Sequence, residues 1–81
     1  MPTLLIIKGW RVVIYPNDHR PPHLHAIGPT EHARFELLCD LGFVRLLSNI
    51  NFTLSQLRLV ERRLLSNITH LCHQWGQIHG H

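Results

Sequence analysis

The chain predicts an α+β fold, because the spacing of its apolar residues changes once, near residue 49. Before that point they fall in short β-branched or alternating runs divided by turn residues. Beyond it they recur with helical period along a single stripe. No linker, repeat or low-complexity tract interrupts this order. The expectation is one domain over residues 1–81. A largely antiparallel sheet of about five strands (residues 3–48) packs on one long C-terminal helix (about 53–78).

The strands follow in order. Thr3–Ile7 and residues 10–15 are apolar runs separated by Lys8-Gly9, a pair suited to a tight hairpin turn. A third extended stretch covers about residues 22–27, and Gly28-Pro29 ends it. His32–Leu38 alternates, with Ala33, Phe35 and Leu37 on one face and Arg34 and Glu36 on the other. Asp40 and Gly42 make a turn, and residues 43–47 return as a last short strand.

The helix begins at Thr53, whose hydroxyl suits an N-cap, with Gln56 three residues on completing a capping box. At helical spacing Leu54, Leu57, Val60, Leu64, Leu65, Ile68, Leu71, Cys72, Trp75 and Ile78 fall within an arc of about 140°. That stripe belongs on a sheet face. Asn67 is a point where the segment can divide, but the stripe stays in phase across it, which favours one helix. Glu61 lies at the edge of the arc beside Arg58. Its expected place is at the rim, bonded to Arg58; the alternative has it reaching the sheet to orient an Arg or His.

The richest chemistry lies in residues 15–26, Tyr-Pro-Asn-Asp-His-Arg-Pro-Pro-His-Leu-His-Ala. Prolines 16, 21 and 22 stiffen this stretch and hold it extended. Strand alternation sends Leu24 and Ala26 to the helix and His23 and His25 to the other face. Arg11, Tyr15, Arg34 and Glu36 share that face by the same rule, with Asp18 and His19 at its rim. Imidazoles for proton transfer, guanidiniums for phosphate, a carboxylate and an aromatic ring make a chemically complete set. The alternative is an ordinary solvated sheet face.

Composition narrows the function classes. Charged residues are 16% and apolar residues 44%, a balance that excludes a disordered chain. No run approaches the roughly 20 apolar residues of a membrane span. Met1-Pro2-Thr3 lacks the basic flank of a signal peptide. Cys39 and Cys72 form no CxxC pair and are too few for a disulfide scaffold, so a reducing cytoplasm is expected, with Cys72 in the core. A formal charge of +3, open to increase through eight histidines in mild acid, is compatible with nucleic acid.

Three segments carry a family resemblance. Gly9-Trp10-Arg11-Val12-Val13-Ile14-Tyr15 follows a Met-Pro-Thr opening; Asn17-Asp18-His19 precedes Pro21-Pro22-His23-Leu24-His25; Ala33-Arg34-Phe35-Glu36-Leu37 and Asn49-Ile50-Asn51-Phe52 lead into the helix through Trp75. Together they resemble the small bacterial family called domain of unknown function 4160, over nearly the whole chain. The resemblance implies a short antiparallel sheet with a C-terminal helix. It also implies a cognate small protein partner in the manner of toxin–antitoxin pairs, and a regulatory or toxic role. The chain departs from the family at Cys39-Asp40-Leu41-Gly42 and in the His-rich tail from His70.

Three functions are then open. In the first, a small intracellular component of a toxin–antitoxin-like module acts on or binds RNA without a metal. His25 takes the 2′-hydroxyl proton, His23 protonates the leaving oxygen, Arg34 or Arg11 steadies the phosphate, and Glu36 orients an imidazole. Arg11, Tyr15, Asp18 and His19 then serve as binding residues. In the second, the chain is a non-catalytic module that binds a partner protein. In the third, His19, His23 and His25 hold zinc or nickel, with a fourth ligand from Asp18 or water. No cofactor is expected, and weak or no stoichiometric metal, because nothing in the spacing brings His19 to the other two and Arg20 and Arg34 repel a cation.

Overall fold

The computed structural model describes residues 3–80. Met1, Pro2 and His81, parts of the opening and tail noted above, lie outside the described residues. Five strands run in order, β1 (Thr3–Ile7), β2 (Trp10–Val13), β3 (His23–Ile27), β4 (His32–Leu38) and β5 (Phe43–Ile50). They form one sheet in which each strand pairs antiparallel with the next. The β1–β2 turn has Lys8 at φ 50° and Gly9 at φ 85°, the left-handed pair that matches the twist of a two-residue hairpin. At the β3–β4 turn Gly28 donates its N–H to Glu31 O at 2.9 Å. A Cβ there would stand 2.7 Å from the Trp10 ring, so only glycine fits without a shift.

Register stacks the small and large apolar residues of one face. Val12 stands opposite Ala26, Ala26 opposite Ala33, Leu24 opposite Phe35, and Leu37 opposite Val44. All are buried, together with Val60, Leu64, Leu71 and Trp75 from the helical segment. Between Arg34 and Phe35 the β4–β5 register shifts: Arg34 faces Ser48 and Phe35 faces Leu46, which leaves Leu47 unpaired in a bulge. The strand predicted to stop at residue 47 continues to Ile50, pairing there with His32.

One long helix was expected; two are present, α1 (Leu54–Ser66) and α2 (Ile68–His79). The capping box forms as predicted: Gln56 N–H donates to Thr53 Oγ1 at 3.2 Å, and Thr53 N–H to Gln56 Oε1 at 2.9 Å. Asn67 breaks the helix, at φ −120° and ψ 17°. Its backbone N–H donates to Leu64 O at 3.0 Å and its side-chain amide to Arg63 O at 2.8 Å. Asparagine competes in this way for carbonyls that a continuing helix would use. Stripe periodicity could not show the break, because both halves bury the same side. Glu61 is half-buried and pairs with neither Arg58 nor any other described cation. Leu59, which lies outside the stripe, packs against the margin of the core.

The cysteines need a correction. Cys39, in the turn after β4, is joined by a disulfide to Cys72 of α2, with Cα atoms 6.0 Å apart. Sequence spacing hid the pair because the contact forms only when α2 is laid back across the sheet. Closing a loop of 33 residues removes denatured-state entropy worth about 2–4 kcal/mol. Cys39→Ser, or reduction of the native chain, should therefore lower stability by about that amount in denaturant titration, with an unchanged native circular dichroism spectrum.

Trp75 is 3% exposed and packs with Leu64 and Leu71 in the core. Its removal leaves a large void in a thin core, so Trp75→Ala should cost about 3–5 kcal/mol in denaturant titration. A variant that melts like the native chain would contradict this packing.

Candidate histidine–carboxylate site

Alternation along β3 delivers His23 and His25 to the face opposite the core residues Leu24 and Ala26, as the sequence predicts. That face is not openly solvated there: His23 is 9% exposed and His25 8%. The connection from Val13 to His23 folds over them. Tyr15 places its ring edge-on to His25, centroids 4.8 Å apart. His32, on β4, stands 5.2 Å from His25 by the same measure. Trp75 belongs to the core yet approaches within 5.7 Å of the His23 ring, and His79 stacks on it at 3.6 Å. An N–H of His79 donates to Asp18 O at 3.1 Å, tying the end of α2 to the loop.

Asp18 is the hub. A turn fixes it, with its own N–H donating to Tyr15 O at 3.0 Å and Tyr15 N–H donating to its Oδ2 at 3.2 Å. The same Oδ2 lies 3.1 Å from His25 Nε2 and 3.4 Å from His23 Nε2. Hydrogen-bond chemistry sets the tautomers. His23 Nδ1 is 2.9 Å from Pro21 O; a carbonyl only accepts, so Nδ1 carries a proton and Nε2 is the ring atom turned toward Asp18. His25 Nε2 donates to Asp18, and His25 Nδ1 accepts from His32 Nε2 at 2.9 Å. An Asp18–His25–His32 chain results, with His23 beside it.

Burial pushes the pKa of His25 below the ordinary imidazole value of 6.5. Asp18 opposes that shift, and His23 and His32 add to it.

Several expected residues fall elsewhere. Glu36 does not orient an imidazole: it pairs with Arg45 of β5, whose Nε donates to Glu36 Oε1 at 3.0 Å. Asp18, expected at the rim, takes that role. Arg11 is exposed opposite Ile27 and lies outside the cluster. Arg34 stands opposite His25 and donates from Nε to Ser48 Oγ at 3.1 Å. His19 is exposed and does not join the converging donors, so the triplet His19, His23, His25 is not assembled. The donors that do converge, within 4.8 Å of one another, are Asp18, His23 and His25. His32 was missed, although its β4 alternation with Arg34 and Glu36 places it on this face. Beside the group a cleft of about 340 Å³ is lined by Asp18, His19, Arg20, His23, Arg34 and Leu47 among others.

Residues 9–76 match the family model described as Domain of unknown function (DUF4160). The chain belongs to this family. The match takes in the whole histidine–carboxylate cluster, which makes it part of the DUF4160 domain itself. No curated protein and no solved structure matches the chain.

A buried imidazole of lowered pKa destabilises the fold when it must take a proton. For His25 the stabilisation is complete above about 6.5 and is lost as pH falls through its lower folded-state value. The titratable groups facing it are Asp18, His23 and His32. Chelator-treated protein should melt at a lower temperature at pH 5 than at pH 7.5, and His25→Asn should reduce that difference.

Proposed function

We propose that this DUF4160 chain is the small component of a toxin–antitoxin-like pair and acts on RNA through the cleft beside His23. The observation that carries the reading is the composition of that cleft. Two guanidiniums, Arg20 and Arg34, line it together with the Asp18–His23 edge of the buried cluster. Guanidiniums recognise phosphate oxygens by paired, charge-assisted hydrogen bonds. An adjacent imidazole–carboxylate group is the chemistry that a 2′-hydroxyl attack on that phosphate needs. The net charge of +3 draws a polyanion to such a cleft.

The geometry also revises the division of roles. His25 has both ring nitrogens engaged inside the protein, so it supports the reaction from behind through Asp18. His23 is the imidazole that borders the cleft. A cytoplasmic location is part of this reading. Thiols are held reduced there, and the exposed Cys39 leaves its pair with Cys72 open to exchange.

A second reading, a module that binds its partner without chemistry, is favoured by β5. This edge strand exposes Phe43, Leu46, Leu47 and Ile50 and leaves one row of backbone groups unpaired. A partner that adds a strand there would cover both features. The two readings are compatible, since a cognate protein can hold β5 while the cleft faces RNA.

Purified native chain, freed of any partner, should cleave a mixed-sequence RNA oligonucleotide. His23→Ala and Arg34→Ala should each lower the rate about a hundredfold or more while the fold is retained. Absence of cleavage by the native chain, with RNA binding equally absent, would sink the RNA reading. Co-purification of a small protein that is lost in Phe43→Lys or Ile50→Lys would then support the binding module.

A further inference from the structure

We propose that Asp18 Oδ2, His23 Nε2 and His25 Nε2 form a site for a divalent first-row transition-metal ion, zinc foremost. The remaining coordination positions open on the cleft. The inference does not depend on RNA being the ligand of that cleft; with the ion bound, His23 holds it rather than transfers a proton, and the ion would supply the Lewis-acid and water-activating chemistry toward a phosphate there.

Spacing is the first argument. Ligand atoms about 2.0–2.1 Å from a tetrahedral zinc stand roughly 3.3 Å from one another. Asp18 Oδ2 lies 3.4 Å from His23 Nε2 and 3.1 Å from His25 Nε2, and all three atoms fall within 4.8 Å of one another. The two imidazoles are buried and the carboxylate is nearly so, which favours a neutralising ion over mobile counter-ions.

Proton accounting is the second. His23 Nδ1 carries a proton for Pro21 O, which leaves Nε2 as the ring atom able to bind another group. That atom faces the Asp18 carboxylate at 3.4 Å, longer than a charge-assisted hydrogen bond. A cation placed between them engages both. The bond from Nδ1 to a backbone carbonyl is also the arrangement that orients a histidine ligand and makes its other nitrogen more basic. His25 has the matching support. When Nε2 binds the ion, both rings change tautomer: the proton of His25 resides on Nδ1 and is donated to His32 Nε2, and His32 carries its own proton on Nδ1, without either ring moving.

Charge is the third. One carboxylate and two neutral imidazoles leave a dipositive ion with a net charge of +1, suited to an anionic or water ligand on the open side. Arg34, one of the two expected sources of repulsion, donates to Ser48 Oγ on β5, and it lines the cleft with Arg20, where both would face the anionic ligand on the ion's open side. The sequence-based expectation of weak or no metal rested on two ligands without a third. Asp18 supplies the third that His19 does not.

The test uses the untagged full chain, purified without metal resin, stripped with chelator and titrated with Zn²⁺, Mn²⁺, Fe²⁺, Co²⁺ and Ni²⁺. One ion per chain is expected for zinc, with visible ligand-field bands when Co²⁺ replaces it. Asp18→Asn and His23→Ala should each weaken zinc binding by at least about a hundredfold, whereas His70→Ala and His73→Ala should leave it unchanged. Circular dichroism establishes that the variants fold. Should they not fold, the Co²⁺ bands of the native chain decide the matter. Native chain that binds none of the five ions overturns the proposal, and so does zinc that persists in folded His23→Ala. Zinc binding with neither RNA cleavage nor RNA binding leaves this site standing and removes only the RNA reading.

Discussion

Everything distinctive in this molecule turns on the carboxylate of Asp18. Its Oδ2 meets the imidazoles of two buried β3 histidines and the backbone of Tyr15, while its carbonyl accepts from His79 at the far end of the chain. Buried polar rings are costly unless they are partnered. A single short acidic side chain therefore makes it possible for β3 to be covered on both faces in a sheet of only five strands. It also anchors a loop that the prolines stiffen but do not by themselves position.

The second constraint is the break at Asn67. A straight helix of some 26 residues would span about 39 Å, longer than the greatest extent of the folded chain at 33 Å. Dividing it lets α2 turn back toward the sheet, where Cys72 reaches Cys39 and Trp75 reaches His23. Trp75 therefore belongs to two systems, as core filler and as one wall of the histidine cluster. Its indole N–H is buried and meets no acceptor among the described residues, so shape rather than a hydrogen bond to the protein explains the ring at this place.

On the face opposite the helices β4 and β5 carry polar ladders, Arg34 with Ser48 and Glu36 with Arg45, and the bulge at Leu47 turns that residue toward the cleft. By register Phe43 and Ile50 of β5 share this face with Arg45 and Ser48, while Leu46 lies on the core face opposite Phe35. The exposed apolar side chains therefore flank the polar ladders, and the unpaired backbone row runs along the outer edge of the same strand.

From the sequence alone, the five strands, the start of the helical segment and the apolar faces were legible, but not the division into two helices at Asn67. Alternation and helical period report which side of each element is apolar, and Thr53 with Gln56, or Lys8 with Gly9, act through neighbours only a few residues away. The common face of His23 and His25 follows from the same local rule. Tertiary structure alone decided what meets that face. The carboxylate beside the histidines is Asp18 and not Glu36, because a folded loop sets one and a cross-strand arginine claims the other. Burial of the pair, the partnership of His32, the approach of Trp75 and His79, and the joining of Cys39 to Cys72 are all contacts between segments distant along the chain. No period or spacing encodes such distances; they arise only when the sheet, the loop and two separate helices close on one another.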